Sequence, residues 1–179
     1  MRSCYCLGLN LDDIIKGVKA IHGVPGRFQA IPNNKGILTI VDYAHSPDGL
    51  ENILTSVKEF AKGRIILVFG CGGDRDTGKR SIMGEIAGRY SDYCIITSDN
   101  PRIEEPQLII NDIEEGMIKT SCSYEKIEDR KQAILKVLSM AEACDTVVIA
   151  GKGHENYQIL KDETIHFSDE EVVKEYYSK

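Results

Sequence analysis

The sequence predicts an α/β domain with a mainly parallel sheet flanked by helices and a β-hairpin near its C-terminal end. Two observations carry that prediction. Short runs rich in apolar and β-branched residues alternate with longer segments of helical periodicity, the pattern of right-handed βαβ crossovers. Near the end, Tyr157–Leu160 and Thr164–Phe167 flank Lys161-Asp162-Glu163, which reads as two antiparallel strands and their turn.

The elements follow in order. Asn10 is placed to cap a helix over Leu11–Ile21, with Leu11, Ile14, Ile15 and Val18 on one stripe, and Gly23-Val-Pro-Gly-Arg27 breaks it. Strands are expected over Ile37–Asp42, Arg64–Phe69, Tyr93–Thr97, Tyr124–Ile127 and Thr146–Ala150. Helices are expected over Pro47–Lys62, Gly78–Tyr90, Pro106–Thr120 and Asp129–Ala143, with Pro47 and Pro106 suited to a first turn. Ser168 with Glu171 makes a capping box for a last helix.

Composition narrows the class. A chain of 179 residues is one domain or little more, and 42% apolar residues are enough for a core. There is no run of 18 apolar residues to span a membrane and no signal-peptide stretch after Met1. A net charge of -6 speaks against a nucleic-acid or anionic-membrane partner. Six cysteines (Cys4, Cys6, Cys71, Cys94, Cys122 and Cys144) are scattered without a CxxC pair. Cys71, Cys94 and Cys144 fall in or beside expected strands, so free, buried thiols in a cytoplasmic protein are expected rather than disulfides or zinc.

The loops after the strands hold the unusual chemistry, at the sheet edge where open α/β sheets bind ligands. Ser98-Asp99-Asn100-Pro101-Arg102 follows one strand; its turn would present an acceptor, an amide and a guanidinium fork suited to a carboxylate. After Ile37–Val41, Asp42 and His45 stand ahead of Pro47. After Arg64–Phe69 comes Gly70-Cys-Gly72-Gly73-Asp-Arg75-Asp-Thr-Gly78-Lys79-Arg80. Its Gly73-x-x-x-x-Gly78-Lys79 matches most of a phosphate-binding P-loop. Arg80 stands where that loop needs a hydroxyl for magnesium, and Asp74 and Asp76 would oppose phosphates, so a carboxylate site at Arg75 fits better. After Thr146–Ala150, Gly151-Lys-Gly153-His-Glu155 delivers Glu155 to the same edge. Arg75 and Arg102 suit carboxylates and Asp99 and Glu155 suit ammonium groups. The set matches a small molecule with two zwitterionic ends, a diamino dicarboxylic acid.

Over residues 23–178 the chain resembles the C-terminal domain of the Mur ligases, in the tripeptide-synthetase branch that adds meso-diaminopimelate. Five stretches carry the resemblance: Gly23-Val-Pro-Gly-Arg27-Phe28, Val41-Asp-Tyr-Ala-His45-Ser-Pro47-Asp48, Phe69-Gly-Cys-Gly-Gly-Asp-Arg75-Asp-Thr-Gly-Lys-Arg80, Ser98-Asp99-Asn100-Pro101-Arg102 and Gly151-Lys-Gly-His-Glu155. Ser81, where many relatives carry Pro, is a small departure. The resemblance implies a Rossmann-like sheet. It implies that Arg75 takes the α-carboxylate of diaminopimelate, Asn100 and Arg102 the distal carboxylate, and Glu155 with Gly151 the distal amine. It also implies that Arg27, Asp42 and His45 reach ATP held mainly by a preceding domain. That domain would hold Mg2+ as well, and another would bind the UDP-MurNAc-dipeptide. On this reading residues 1–22 are the end of the ATPase domain and residues 23–179 the amino-acid-binding domain, a fragment not expected to catalyse by itself. Two other readings stay open. A folylpolyglutamate- or cyanophycin-type ligase domain is disfavoured by Asp99-Asn-Pro-Arg102, and a free-standing nucleotide-binding protein by Arg80.

Overall fold

The computed structural model describes residue 8, residues 10–20 and residues 23–179, the side chains of residues 18–20 excepted. The expectations for Cys4, Cys6, Ile21 and the Val18 side chain therefore lie outside the described residues. The elements are α1 (Leu11–Ala20), β1 (Gln29–Ile31), β2 (Leu38–Asp42), α2 (Pro47–Lys58), β3 (Ile65–Phe69), α3 (Gly78–Tyr90), β4 (Tyr93–Ile96) and α4 (Pro106–Met117). β5 (Ser123–Lys126), α5 (Arg130–Met140), β6 (Thr146–Ala150), β7 (Tyr157–Ile159), β8 (Thr164–His166) and α6 (Asp169–Tyr177) follow.

Six strands form one sheet in the order β1-β2-β6-β3-β4-β5, and β7-β8 is a separate hairpin. Neighbours from β2 to β5 pair in parallel; β1 alone runs antiparallel, with Gln29 opposite Val41. All five residues of β3 and of β6 are buried, as central parallel strands covered on both faces must be.

The two-residue period of the strands sorts the core into two layers. Ile65, Leu67 and Phe69 pack with Leu50, Leu54 and Val57 of α2, Met83 and Ala87 of α3, and Ile110 and Ile113 of α4. Ile66 and Val68, pointing the other way, pack with Ile134, Val137 and Leu138 of α5 and Val172 and Val173 of α6. Each such buried aliphatic contributes roughly 1.5–3 kcal/mol relative to exposure.

Capping sets several boundaries. Asn10 Oδ1 accepts from Asp12 N at 2.9 Å, as its capping role requires. Ser46 caps α2 by accepting from Gly49 N, with Pro47 in the first turn. Asp129 caps α5 through Gln132 N rather than joining it. Ser168 accepts from Glu171 N, but the Glu171 carboxylate turns to His166 Nε2 at 2.6 Å, so only half of the expected capping box forms. Three helices stop short of their expected ends: α2 at Lys58, α4 at Met117 and α5 at Met140. In the first two the chain winds on through tighter turns, Glu59 N to Ser56 O and Lys119 N to Gly116 O.

Two sequence expectations need correction. β1 was not expected; its Gln29-Ala30-Ile31 holds one apolar anchor, Ile31, too few for a pattern. Cys71 and Cys94 are buried, but Cys122 is half-buried and Cys144 is exposed. Cys144 sits in a turn at φ 76° just before β6, so its side chain points outward. No described helix is long and apolar enough to cross a membrane.

Candidate functional site

The strand order makes β2, β6, β3 and β4 neighbours, so the four loops noted above leave the same edge of the sheet side by side. Between them open two adjoining cavities. The first, about 380 Å³, is lined by Arg75, Asp99, Asn100, Arg102, Gly151 and Glu155 among others. The second, about 360 Å³, is lined by Arg27, Asp42, His45 and residues of α2. Tyr43 and His45 line both. Arg27 and Asp42 thus line the second cavity alone, Arg75, Asp99, Asn100, Arg102, Gly151 and Glu155 the first alone, and His45 stands between the two.

In the first cavity Arg75 is exposed on the Gly-rich loop, and its one side-chain hydrogen bond among the described residues is from Nη1 to the Asp74 carbonyl at 3.4 Å. Arg102 sits at φ 56°, in the left-handed region that a non-glycine residue rarely adopts. Its Nη1 donates to Gly73 O at 2.8 Å and Asn100 O at 3.2 Å, while Nε and Nη2 have no partner among the described residues. One edge of the fork is therefore anchored to backbone and the other is free. The close seat of this loop requires Gly73, where a Cβ would lie 1.9 Å from Pro101 O.

Asp99 and Asn100 are buried. Asp99 Oδ2 has no hydrogen-bond partner among the described residues. Burial raises its pKa, against the pull of Arg130 and Lys152. Gly151 passes it at φ 117°, where a Cβ would meet Asp99 Oδ2 at 2.7 Å. Asn100 is heavily committed: Oδ1 accepts from Lys152 Nζ at 3.1 Å and Ile159 N at 2.9 Å, and Nδ2 donates to Glu155 Oε2 at 3.0 Å. That leaves one amide hydrogen for a ligand. Burial pushes the Glu155 pKa up, but its bonds to Lys152 and Asn100 outweigh burial and hold the carboxyl below the usual range.

The Gly-rich loop is not built as a phosphate cradle. Three of its N–H groups are already used: Gly73 N donates to Asn100 O, Asp74 N to Glu104 Oε1 and Gly78 N to Asp76 Oδ1. Arg80, where a P-loop would have its hydroxyl, is buried against Glu104 and Asp112. Lys79 Nζ donates to His45 O at 2.7 Å, tying this loop to the one after β2.

In the second cavity the Arg27 guanidinium stands 5.3 Å from the Tyr43 ring. Asp42 uses both oxygens on backbone, Oδ2 accepting from Phe28 N at 2.6 Å and Oδ1 from Ala44 N at 2.8 Å. Phe28, at φ 45°, is held there by Asp42. His45 is exposed, with Nδ1 2.8 Å from Tyr43 O.

Sequence reading missed three contributors. Lys152 is fully buried and bridges Asn100 and Glu155; flanked by two glycines, it gave no sign of burial. Tyr43, passed over between Asp42 and His45, forms the wall common to both cavities. Arg130 pairs with Asp169 in full burial and donates to Ala150 O at 3.0 Å and Ser98 O at 3.5 Å, bracing the ends of β6 and β4.

The chain belongs to the Mur ligase family: the family model described as "Mur ligase, glutamate ligase domain" matches residues 26–153. A UDP-N-acetylmuramoyl-L-alanyl-D-glutamate--2,6-diaminopimelate ligase of Clostridioides difficile is 55% identical over 99% of this chain and 37% of its own length. The enzyme of that name from Alkaliphilus oremlandii is 52% identical over 96% of this chain and 35% of its own. The chain thus spans little more than a third of these curated relatives. A solved structure of a ligase of that name aligns with a TM-score of 0.82 at 40% identity, covering 98% of this chain and 36% of that one. A bifunctional folylpolyglutamate synthase/dihydrofolate synthase of Yersinia pestis shares the fold, with a TM-score of 0.63 at 22% identity over 82% of this chain and 32% of that one.

Proposed function

We propose that residues 23–179 form the amino-acid-binding domain of an ATP-dependent ligase of peptidoglycan synthesis, one that adds meso-diaminopimelate to UDP-MurNAc-L-alanyl-D-glutamate. One observation carries this reading: the guanidinium groups of Arg75 and Arg102 and the carboxyls of Asp99 and Glu155 line one cavity of about 380 Å³, with Asp76 and Lys79 also on its wall. A ligand with two carboxylates and two ammonium groups complements those two guanidinium groups and two carboxyls. Arg75 suits the α-carboxylate, and the free edge of Arg102 with the remaining amide hydrogen of Asn100 suits the distal one. Glu155 suits the distal ammonium, with the Gly151 backbone beside it, and Asp99 lines the floor.

In this reading the domain captures the amino acid and aims its reacting amine. In the complete enzyme ATP activates the glutamate carboxyl as an acyl phosphate, which that amine attacks, closing the amide as phosphate leaves. The second cavity fits the edge of a nucleotide: Arg27 supplies positive charge, and His45 and Ser46 supply polar contacts. Asp42 acts there by holding the Phe28 backbone. Magnesium is assigned to the preceding domain, with residues 1–22 as that domain's end. The reaction places the protein in the cytoplasm.

Titrating the isotope-labelled chain with amino acids tests this by NMR. Meso-diaminopimelate should shift the Arg75, Arg102 and Glu155 signals saturably, and lysine and glutamate should bind at least ~10-fold more weakly. Equal binding of all three would overturn the assignment.

A further inference from the structure

Behind the wall of the first cavity, against Asn100 and Glu155, lies a buried cation that none of the binding roles above uses. Lys152 is 0% exposed. Its ammonium lies 3.1 Å from Asn100 Oδ1, 3.0 Å from Glu155 Oε2 and 5.4 Å from the Tyr157 ring centre. We propose that Lys152 is the positioning residue that fixes the hydrogen-bond polarity of this cavity, holding Asn100 as a donor and Glu155 as an ionised acceptor, and so selects a ligand end bearing a carboxylate and an ammonium together. The selection part rests on the amino-acid-binding reading above; the polarity part stands on the contacts alone.

The argument is one of donors and acceptors. An asparagine amide can lie either way round. Two groups that can only donate, the Lys152 ammonium and Ile159 N–H, converge on one end of Asn100. The flipped amide would set its own N–H groups against both. The Nδ2 end must therefore face Glu155, and its second hydrogen is left for the ligand. A donor beside an ionised carboxylate is the complement of a carboxylate beside an ammonium. Both halves weaken without Lys152: Asn100 would keep one fixing donor instead of two, and Glu155 would lose its close positive neighbour.

Other groups also face Glu155: Arg130 and His154 are positive or protonatable, Asp99 opposes its ionisation, and Tyr43, whose own pKa burial and Glu155 raise, faces it as a neutral phenol. Lys152 is the only one of them within ion-pair distance of it among the described residues. Burial disfavours the charged carboxyl, and the bond to Lys152 is the largest effect opposing burial. Without that bond, burial should dominate and the Glu155 pKa should rise. Since only ionised Glu155 accepts an ammonium, wild-type binding should survive acidification through the usual carboxylate range. Binding by a Lys152→Met variant should fail at higher pH.

The test follows the Glu155 Cδ signal by 13C NMR during pH titration of the 179-residue chain, its K152M variant and its K152R variant. The wild-type midpoint should lie below the usual carboxylate value of about 4.3. K152M should raise it by about one unit or more, and K152R should keep it low. Meso-diaminopimelate affinity at the acid end should fall at least about tenfold in K152M and recover in K152R. An unmoved midpoint in K152M overturns the proposal. A moved midpoint with unchanged ligand selectivity overturns its selection part. Should K152M not fold, a wild-type midpoint at or above the usual value overturns it alone. Absence of meso-diaminopimelate binding by the wild-type chain instead defeats the amino-acid reading, while the midpoints still decide what Lys152 does.

Discussion

Glu104 accepts from Arg80 Nη2 with both carboxylate oxygens at 2.9 Å, and Arg80 Nη1 reaches Asp112 at 2.8 Å. The pair locks the Gly-rich loop to the loop after β4, and so sets where Arg75 and Arg102 stand relative to each other. The guanidinium is the buried member: its side chain is 2% exposed against 29% for Glu104 and 44% for Asp112. Removing the acids strands a buried charge, whereas removing Arg80 leaves two carboxylates that water can reach. The E104Q/D112N double variant should therefore lose about 3–5 kcal/mol, and R80M less than about 2 kcal/mol. Urea denaturation giving the opposite order would contradict this.

Arg130 and Asp169 are both fully buried, so neither charge has water to fall back on. Asp169→Asn and Arg130→Met should each cost about 3–5 kcal/mol, and the R130M/D169L double variant should cost less than the two singles together. Strict additivity in the double-mutant cycle would show that the two groups do not act as a pair.

Asp145 gives a pH signature. Burial raises its pKa, but Arg64 and the N–H groups of Glu142 and Arg64 lower it more, so the folded value lies below the unfolded one. Such a group stabilises the fold fully above its unfolded pKa, about 3.9, and that stabilisation is lost as pH falls toward the folded value. Asp145→Asn should thus cost about 1.5–3 kcal/mol at pH 7 and progressively less below pH ~4. A cost that stays constant down to pH ~2 would refute the linkage.

The chain by itself should not turn over ATP. Its glycine-rich loop has committed the N–H groups of Gly73, Asp74 and Gly78 to protein acceptors, and Arg80, where a phosphate loop needs a hydroxyl, is buried in ion pairs. Phosphate release from magnesium-ATP by the purified chain, abolished by Gly78→Val, would contradict this.

The parallel strands were legible because β3, β4 and β6 are near-continuous apolar runs, broken only by Tyr93 and Thr146 at their starts, and each leads into a loop of unusual composition. The loops at their ends were legible as a group, since four of them held ligand-type side chains. What escaped was set by tertiary contact. β1 exists only because β2 offers it an edge, and Gln29-Ala30-Ile31 shows no period of its own. The depth of Asp99 and Asn100, and the burial of Lys152, depend on the β7-β8 hairpin region folding back, as Ile159 N on Asn100 and Gln158 on the Asp99 carbonyl show. A lysine between two glycines carries no sign of such a partner. Cys144 misled because a residue beside a strand was equated with one inside it.

The central claim is that Arg102 chooses the amino acid. Lysine and meso-diaminopimelate differ by one carboxylate, and on the proposed function the free edge of Arg102 meets it, its other edge fixed to Gly73 O at 2.8 Å. A charge-assisted pair of this kind is worth ~1.5–3 kcal/mol net, and an unmatched guanidinium adds part of its desolvation cost. The most direct measurement joins this chain to the remainder of the Clostridioides difficile relative and compares kcat/KM for the two amino acids in the Arg102 and Arg102→Ala forms. The ratio of meso-diaminopimelate to lysine use should fall by at least ~10–100-fold in Arg102→Ala, with poor rescue by Arg102→Lys, whose ammonium cannot form the planar two-bond grip. An unchanged ratio would contradict the account and leave Ser98-Asp99-Asn100-Pro101-Arg102 as no more than a turn.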